Sequence, residues 1–105
     1  MRHQHYVLDD QKNAVASDLE TWAKMFDDSS VRIVAKTNTR NESISTVFLG
    51  LDHNFSDYGP PILFETMVFG GPFDDEARRC STWDEAVIQH QDMVDEVLHG
   101  KVGDD

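Results

Sequence analysis

Four side chains of this sequence have the chemistry to hold a metal ion or a ligand. Asp52 and His53 end one apolar segment, and Glu65 interrupts the next. His90 lies within the apolar stripe of the last predicted helix. Imidazole and carboxylate groups together form many transition-metal sites. Because the spacing of these four matches no compact motif such as His-Glu-x-x-His, we predict neither a metal site nor a cofactor.

His90 points at the sheet if the last helix packs with its apolar stripe inward. Burying an imidazole without a hydrogen-bond partner costs about 1–3 kcal/mol. We therefore interpret His90 as a core histidine bonded to a backbone carbonyl, a carboxylate or a threonine. The alternative interpretation is a member of a ligand site.

Glu65 lies inside an almost wholly apolar predicted strand, where an isolated carboxylate is costly to desolvate. The alternation of a strand allows two registers. In one, Glu65 points away from the helices with Leu63, Met67 and Phe69, a set with the composition of an interface that also suits a homodimer. In the other, Glu65 meets His90 in the core. The sequence leaves both registers open.

Catalytic signatures are missing from the chain: it has no Walker-A loop, no G-x-S-x-G nucleophile elbow and no pair of cysteines. Cys80 follows Arg78 and Arg79, whose charges would lower the pKa of its thiol. No matched general base accompanies it. We therefore interpret Cys80 as a bystander and predict that the protein is not an enzyme.

Twenty acidic residues against nine basic ones give a net charge of −11. Direct binding to nucleic acid is disfavoured, because neutralising phosphates requires clustered Lys and Arg, whereas a basic protein surface would be attracted. The outer face of the last helix is acidic, with Asp84, Glu85, Asp92, Asp95 and Glu96. Such a run is usually a solvated helix face. The alternative is a phosphate mimic that occupies a basic groove.

Segments rich in β-branched and aromatic residues predict strands at 5–8, 31–35, 44–51 and 62–69. Helical periodicity follows two capping boxes, Ser17 to Glu20 and Thr82 to Glu85. The order β-α-β-β-β-α favours an α+β fold, with an antiparallel sheet of about four strands and two helices packed on one face. We expect a single domain over 1–105, with an acidic flexible tail at about 100–105.

The expected compartment is the cytosol. Cys80 is the only cysteine, and the N-terminus has no apolar core of signal-peptide length. No window holds the roughly 20 apolar residues that a membrane span needs.

Segments 45–55, 59–71 and 81–86 read STVFLGLDHNF, GPPILFETMVFGG and STWDEA. This pattern resembles a family of small uncharacterised proteins encoded by tailed bacteriophages and prophages. The likeness extends to the opening segment 6–9 and to segment 19–23. It implies an accessory phage protein that acts in the cytosol of a bacterial host by binding and disabling a host factor.

Three functions follow from these features. The first is a non-catalytic binding protein that binds or inhibits a host protein, such as a defence component. The second is a small-molecule binder that sequesters a nucleotide signal, and the third is a metal-dependent hydrolase built on the His and carboxylate set. The pocket of the second function would be formed by Asp52, His53, Glu65 and the Gly-Pro-Pro loop at 59–61, with Trp83 or Tyr58 stacking on a base.

Overall fold

Residues 4–100 are described by a computed structural model of the chain. Residues 101–105, most of the expected tail, lie outside the described residues. Within the described part, the elements are β1 Tyr6–Leu8, β2 Ala14–Ala16, α1 Leu19–Phe26, α2 Ser29–Arg32, β3 Ile33–Asn38, β4 Ser43–Phe48, β5 Phe64–Phe69, β6 Ala77–Cys80 and α3 Trp83–Leu98. The predicted α+β class is confirmed.

The main sheet has the order β3-β4-β5-β6, and every neighbouring pair is antiparallel. A separate two-stranded sheet pairs β1 with β2. The long helix α3 crosses one face of the main sheet and contacts all four of its strands. The capping box that starts α3 is confirmed, since Glu85 N donates to Thr82 Oγ1 and Thr82 N donates to Glu85 Oε1, each at 3.1 Å.

Alternation along β4 and β5 decides the register that the sequence left open. The side chains that face α3 and are buried are Ile44, Thr46, Phe48, Phe64, Thr66 and Val68. Glu65 points to the opposite face with Met67 and Phe69, as one register predicts. Leu63 does not join them: it precedes β5 and is only 1% exposed. It packs in the core with Phe48 and Phe64.

The core consists of two neighbouring clusters between α3 and the sheet. The C-terminal half of α3 contributes Met93, Val94 and Val97, which pack on Ile44 and Val68. The N-terminal half contributes Ala86, which packs with Phe48, Leu63 and Phe64. Truncating a buried Phe of this kind to Ala typically costs about 3–5 kcal/mol, so the second cluster is a main source of stability.

The expectation that two helices pack on the sheet is wrong for α1. This helix lies against β1 and α2, and none of its residues is buried. Its Met25 reaches only the margin of the core. Its N-cap is Asp18 rather than Ser17, because the Asp18 carboxylate accepts from Thr21 N at 2.7 Å, while the Ser17 hydroxyl donates to a backbone carbonyl.

Three short elements lie outside the sequence prediction: β2, α2 and β6. The predicted strand at 31–35 begins instead at Ile33, because α2 occupies the preceding turn. The charged segment that forms β6 contains Arg78 and Arg79. It pairs with β5 on one side only and so forms an edge of the sheet, where charged side chains are common.

Candidate functional site

The polar residues that could have formed one site are held apart, each by partners of its own. His90 bonds to threonines in the core, Glu65 pairs with an arginine on the opposite sheet face, and Asp52 organises a loop. No group of three or more His, Cys, Asp or Glu side chains in residues 4–100 is arranged to hold a metal ion.

His90 is buried, and both of its ring nitrogens are occupied. Nδ1 lies 2.7 Å from Thr46 Oγ1, and Nε2 lies 2.9 Å from Thr37 Oγ1. A threonine hydroxyl either donates or accepts, so either neutral tautomer of the imidazole is satisfied. Burial lowers the pKa of His90, because the charged form loses its hydration. The interpretation of His90 as a core histidine bonded to threonine matches this geometry.

The hydrogen bonds of His90 continue through a buried network. Thr46 Oγ1 lies 2.6 Å from Thr66 Oγ1 on the neighbouring strand. Gln89 Nε2 donates to Thr66 Oγ1 at 3.0 Å and to the carbonyl of Arg78 at 3.1 Å. The network therefore ties α3 to every strand of the main sheet. One sequence feature could have predicted this network: Thr46 and Thr66 each place a hydroxyl at an inward position of a strand that is otherwise apolar on that face.

Asp52 is buried, and its Oδ1 accepts from Asn54 N at 2.8 Å and from Ile62 N at 3.0 Å. These two bonds close the base of the loop between β4 and β5. His53 Nδ1 donates to the carbonyl of Leu51 at 2.8 Å. Both side chains therefore shape the loop rather than line a shared pocket with Glu65.

The loop that Asp52 closes presents two aromatic rings to solvent. Phe55 is 89% exposed and Tyr58 is 83% exposed. Asn54 lies at the centre of the loop and bonds to it through both atoms of its amide. Sequence reasoning named Tyr58 only as a stacking candidate and missed Phe55, because exposure in an irregular loop has no periodic signal.

The outer face of the main sheet, defined here as the side away from α3, carries the interface candidates Glu65, Met67 and Phe69. Glu65 Oε2 lies 3.0 Å from Arg79 Nε on the cross-strand neighbour. The Glu65 side chain is 16% exposed. Val47 and Met67 lie beside Glu65 on this face, and Ile33 and Phe69 lie further out. The polar residues of the same face are Lys36, Asn38, Ser43 and Ser45. The outward set expected from sequence is thus present, apart from Leu63.

The acidic face of α3 is only partly available to a partner. Glu85 belongs to the capping box. Glu96 forms a bidentate ion pair with Arg78. The hydrogen bonds that Glu96 accepts raise the pKa of Arg78. Asp95 accepts from Gln91 at 3.1 Å. These internal bonds favour a solvated helix face over a phosphate mimic.

Cys80 does not have the lowered pKa that its basic neighbours suggested. Burial, followed by the nearby charge of Glu85, raises the pKa of the thiol to about 11. The two arginines do not reverse this, because Arg78 is paired with Glu96 and Arg79 with Glu65. The thiolate, which is the reactive form, is therefore scarce at neutral pH.

Trp83 lines a cleft of about 340 Å³ together with Pro60 and Pro61. The ammonium of Lys12 lies 5.3 Å from the centre of the Trp83 ring. The backbone of Lys12 has a positive φ of 67°. Trp83 and the Gly-Pro-Pro loop do come together, as the small-molecule hypothesis requires. Asp52, His53 and Glu65 are not part of the cleft lining.

None of the helices in residues 4–100 is both long enough and apolar enough to span a membrane. Comparing the chain with family models, with curated proteins and with solved structures gives no match in any of the three. Function is therefore inferred from the residues themselves.

Proposed function

We propose that this protein is a non-catalytic binding protein that binds a bacterial host protein through the outer face of its main sheet. The observation that carries the proposal is a sheet face on which exposed apolar side chains lie near an ion pair and which no element of residues 4–100 covers, in a chain whose net charge is strongly negative. Inhibition of the bound host protein is the expected effect.

The outer face is more apolar than a solvated sheet face requires. One face of an antiparallel sheet usually carries polar residues when it meets water. Here Ile33 is 44% exposed and Phe69 is 48% exposed, with Val47 and Met67 between them on the two central strands. Ser43 and Ser45 lie opposite Phe69 and Met67 on the same face. Exposed large apolar side chains grouped with polar ones in this way are typical of a surface that binds a protein.

The charge of the outer face differs from that of the whole chain. Its strands carry Lys36 and Arg79 against Glu65, so the face is slightly basic while the chain has a charge of −11. Arg79 lies on the same face as the exposed apolar side chains, and arginine is enriched among the residues that dominate binding energy. A partner with an apolar, neutral or mildly acidic surface would meet no repulsion here.

The side chains with catalytic potential are engaged in hydrogen bonds within the fold, which favours a binding protein over an enzyme. Both nitrogens of His90 are engaged by threonines, and the Asp52 carboxylate accepts two backbone amides. A general base must reach the proton that it removes from a substrate, whereas these groups bond to threonine hydroxyls and backbone amides of the protein itself. This arrangement favours a binding protein over a metal-dependent hydrolase.

A capture experiment with matched variants tests the proposal. Wild type, Met67→Glu and Ile88→Glu are immobilised and exposed to bacterial lysate, and captured proteins are identified by mass spectrometry. Ile88 is 63% exposed on α3, so its variant adds the same charge to the other side of the molecule. Circular dichroism confirms folding of both variants.

The expected result is a protein captured by wild type and by Ile88→Glu, but lost with Met67→Glu. The purified partner should then bind Met67→Glu at least about tenfold more weakly in calorimetry. Capture that is unchanged by Met67→Glu, or lost equally with both variants, would refute the outer face as the binding surface.

The cleft at Trp83 favours a small-molecule binder as a second candidate. An indole ring, two prolines and a nearby ammonium could take a flat aromatic ligand. A thermal-shift screen against nucleotides would reveal it, since a ligand at a hundredfold excess over Kd stabilises by about 2.7 kcal/mol. The stabilisation by a bound nucleotide should be smaller with Lys12→Ala. If no nucleotide shifts the unfolding temperature of the wild type, none of those tested is the ligand.

A further inference from the structure

The loop between β4 and β5 presents its two aromatic rings on a backbone that is fixed by side-chain hydrogen bonds. Asn54 Nδ2 donates to the carbonyls of Tyr58 and Pro60, at 2.8 and 2.9 Å. Asn54 Oδ1 accepts from Ser56 N at 3.0 Å and lies 2.8 Å from Ser56 Oγ. The backbone between the rings is thereby ordered before any partner arrives.

Ordering of the loop matters because binding normally loses conformational freedom, and a preformed loop loses less of it. The centre of the Phe55 ring lies 6.3 Å from that of the His53 ring, but most of the ring surface is left unburied by the fold. Phe55 and Tyr58 together leave most of their surface in water. Large rigid side chains of this type supply much contact area at a low entropic cost, which is why they recur in binding loops.

The segment that carries the two rings is acidic in sequence. Asp57 lies between Phe55 and Tyr58 in the loop, and the chain has no Lys or Arg between Arg40 and Arg78. Aromatic faces attract the cationic groups of Lys and Arg within about 6 Å, and a neighbouring carboxylate adds a charge-assisted hydrogen bond. An anionic or purely apolar partner would use only part of this chemistry.

We propose that this loop binds a Lys- or Arg-bearing segment of the partner protein. Phe55 and Asp57, which line the same cavity of about 330 Å³, receive the basic side chain: the ring packs on its aliphatic stem and the carboxylate pairs with its charge. Tyr58 offers a second exposed ring to the same segment. The proposal rests on the proposed function for the existence of a protein partner, and it adds a second contact with a stated chemistry to the outer sheet face.

A displayed library of random peptides tests the proposal even while the partner is unidentified. The library is first depleted on the Phe55→Ser/Tyr58→Ser double variant and then selected on the wild type. The double variant retains the net charge of the chain, so peptides held by long-range attraction alone are removed. Enriched peptides are synthesised, and their Kd values are measured for wild type and variants at 150 mM NaCl.

The expected result is a set of peptides that share Lys or Arg beside an apolar residue, with Kd at least about tenfold weaker for the double variant. Asp57→Asn should weaken the same peptides. Asn54→Ala, which retains both rings but removes the bonds that order the loop, should weaken them too. Ile88→Glu should leave their affinity unchanged, because Ile88 is exposed on α3 and belongs to neither proposed contact surface.

Failure of this proposal is distinguishable from failure of the proposed function. A selection that enriches no peptide, or only peptides without basic residues, overturns the loop proposal. So does binding that the double variant retains. The proposed function is tested separately by the lysate capture with Met67→Glu, because the depletion step removes peptides that bind the outer sheet face.

Discussion

At the scale of single residues, hydroxyl groups explain how this chain tolerates a histidine in its core. Thr37 and Thr46 offer groups that donate or accept as the imidazole requires, so burial leaves no unpaired nitrogen. A carboxylate partner would have favoured the charged imidazole. The hydroxyl partners leave desolvation dominant, and His90 is accordingly a structural group that resists protonation.

We expect acid to destabilise the fold partly through His90. Burial lowers the pKa of His90 below its ordinary value of 6.5, so the unfolded chain binds this proton at a pH where the folded chain does not. Stability therefore falls as pH drops through about 6.5 towards the folded-state pKa, by at most about 1.4 kcal/mol for each unit between the two pKa values.

Urea unfolding followed by tryptophan fluorescence at pH 7.5 and 5.5 measures this effect in wild type and His90→Gln. Glutamine retains groups that can bond to both threonines but does not titrate. The loss of unfolding free energy on acidification should be smaller in the variant. An equal loss in both proteins would show that His90 does not contribute.

A second residue-scale prediction concerns Cys80. Because its pKa is raised to about 11, the native thiol should react with Ellman's reagent about a hundredfold more slowly at pH 7.5 than in the urea-unfolded chain. Partial burial slows access further. The rates are read from absorbance in the two conditions, and native and unfolded rates within tenfold of each other would contradict the prediction.

At the scale of elements, the sequence predicted what local signals encode. The capping box of α3 and the central strands β4 and β5 have strong local signals. The predicted bounds of the strands were too long, since β4 ends at Phe48 rather than at residue 51 and β5 begins at Phe64 rather than at residue 62. The edge strand β6 gave no such signal. Its charged residues are tolerated at the edge of a sheet, so the segment lacks the apolar pattern that predicts a strand. The continuous apolarity of β5 could not fix the direction of Glu65, since both faces read as buried. The hydrogen-bond partners of His90 are set by tertiary packing, so the sequence left them open as well.

The position of α1 also depends on tertiary contacts, and Gly50 is central to them. Its φ is +68°, and an added Cβ would lie 2.6 Å from Trp22 Nε1 and 2.9 Å from the Tyr6 carbonyl oxygen. Gly50→Ala should therefore strain the backbone and push α1 and β1 away from the end of β4. We expect a loss of about 3 kcal/mol or more in unfolding free energy.

Gly100→Ala is the matched control. Gly100 has a similar φ of +71°, but an added Cβ would meet nothing within 4 Å. Its cost should therefore be limited to the left-handed backbone, about 1 kcal/mol. Chemical denaturation of both variants gives the comparison. Equal losses would mean that the contacts of Trp22 and Tyr6 at Gly50 add nothing to stability.

At the scale of the whole molecule, the two sides of the main sheet have different surfaces. One side is covered by α3, whose exposed surface carries much of the acidity, including Asp84 and Asp92. The other side combines apolar and polar side chains, is slightly basic, and is not covered by any element within residues 4–100. This separation lets a chain with a charge of −11 remain dispersed through repulsion while retaining one surface on which a neutral or acidic protein meets no repulsion.

In the absence of a partner, we expect a second copy of the chain to use the same surface. Two copies repel through their net charge, but their outer faces are locally slightly basic and carry exposed apolar side chains, with Glu65 and Arg79 able to pair across the contact. Screening of the repulsion by salt should therefore raise the dimer fraction between 20 and 300 mM NaCl. Light scattering after size-exclusion chromatography measures the mass.

Met67→Glu should remain monomeric at both salt concentrations, because it places a carboxylate in the centre of the apolar contact, where desolvating it is costly. Ile88→Glu adds the same charge on α3 and should still dimerise as the salt rises. A wild type that stays monomeric in 300 mM NaCl, or a Met67→Glu variant with the wild-type mass, would show that the outer face does not bind its own copy.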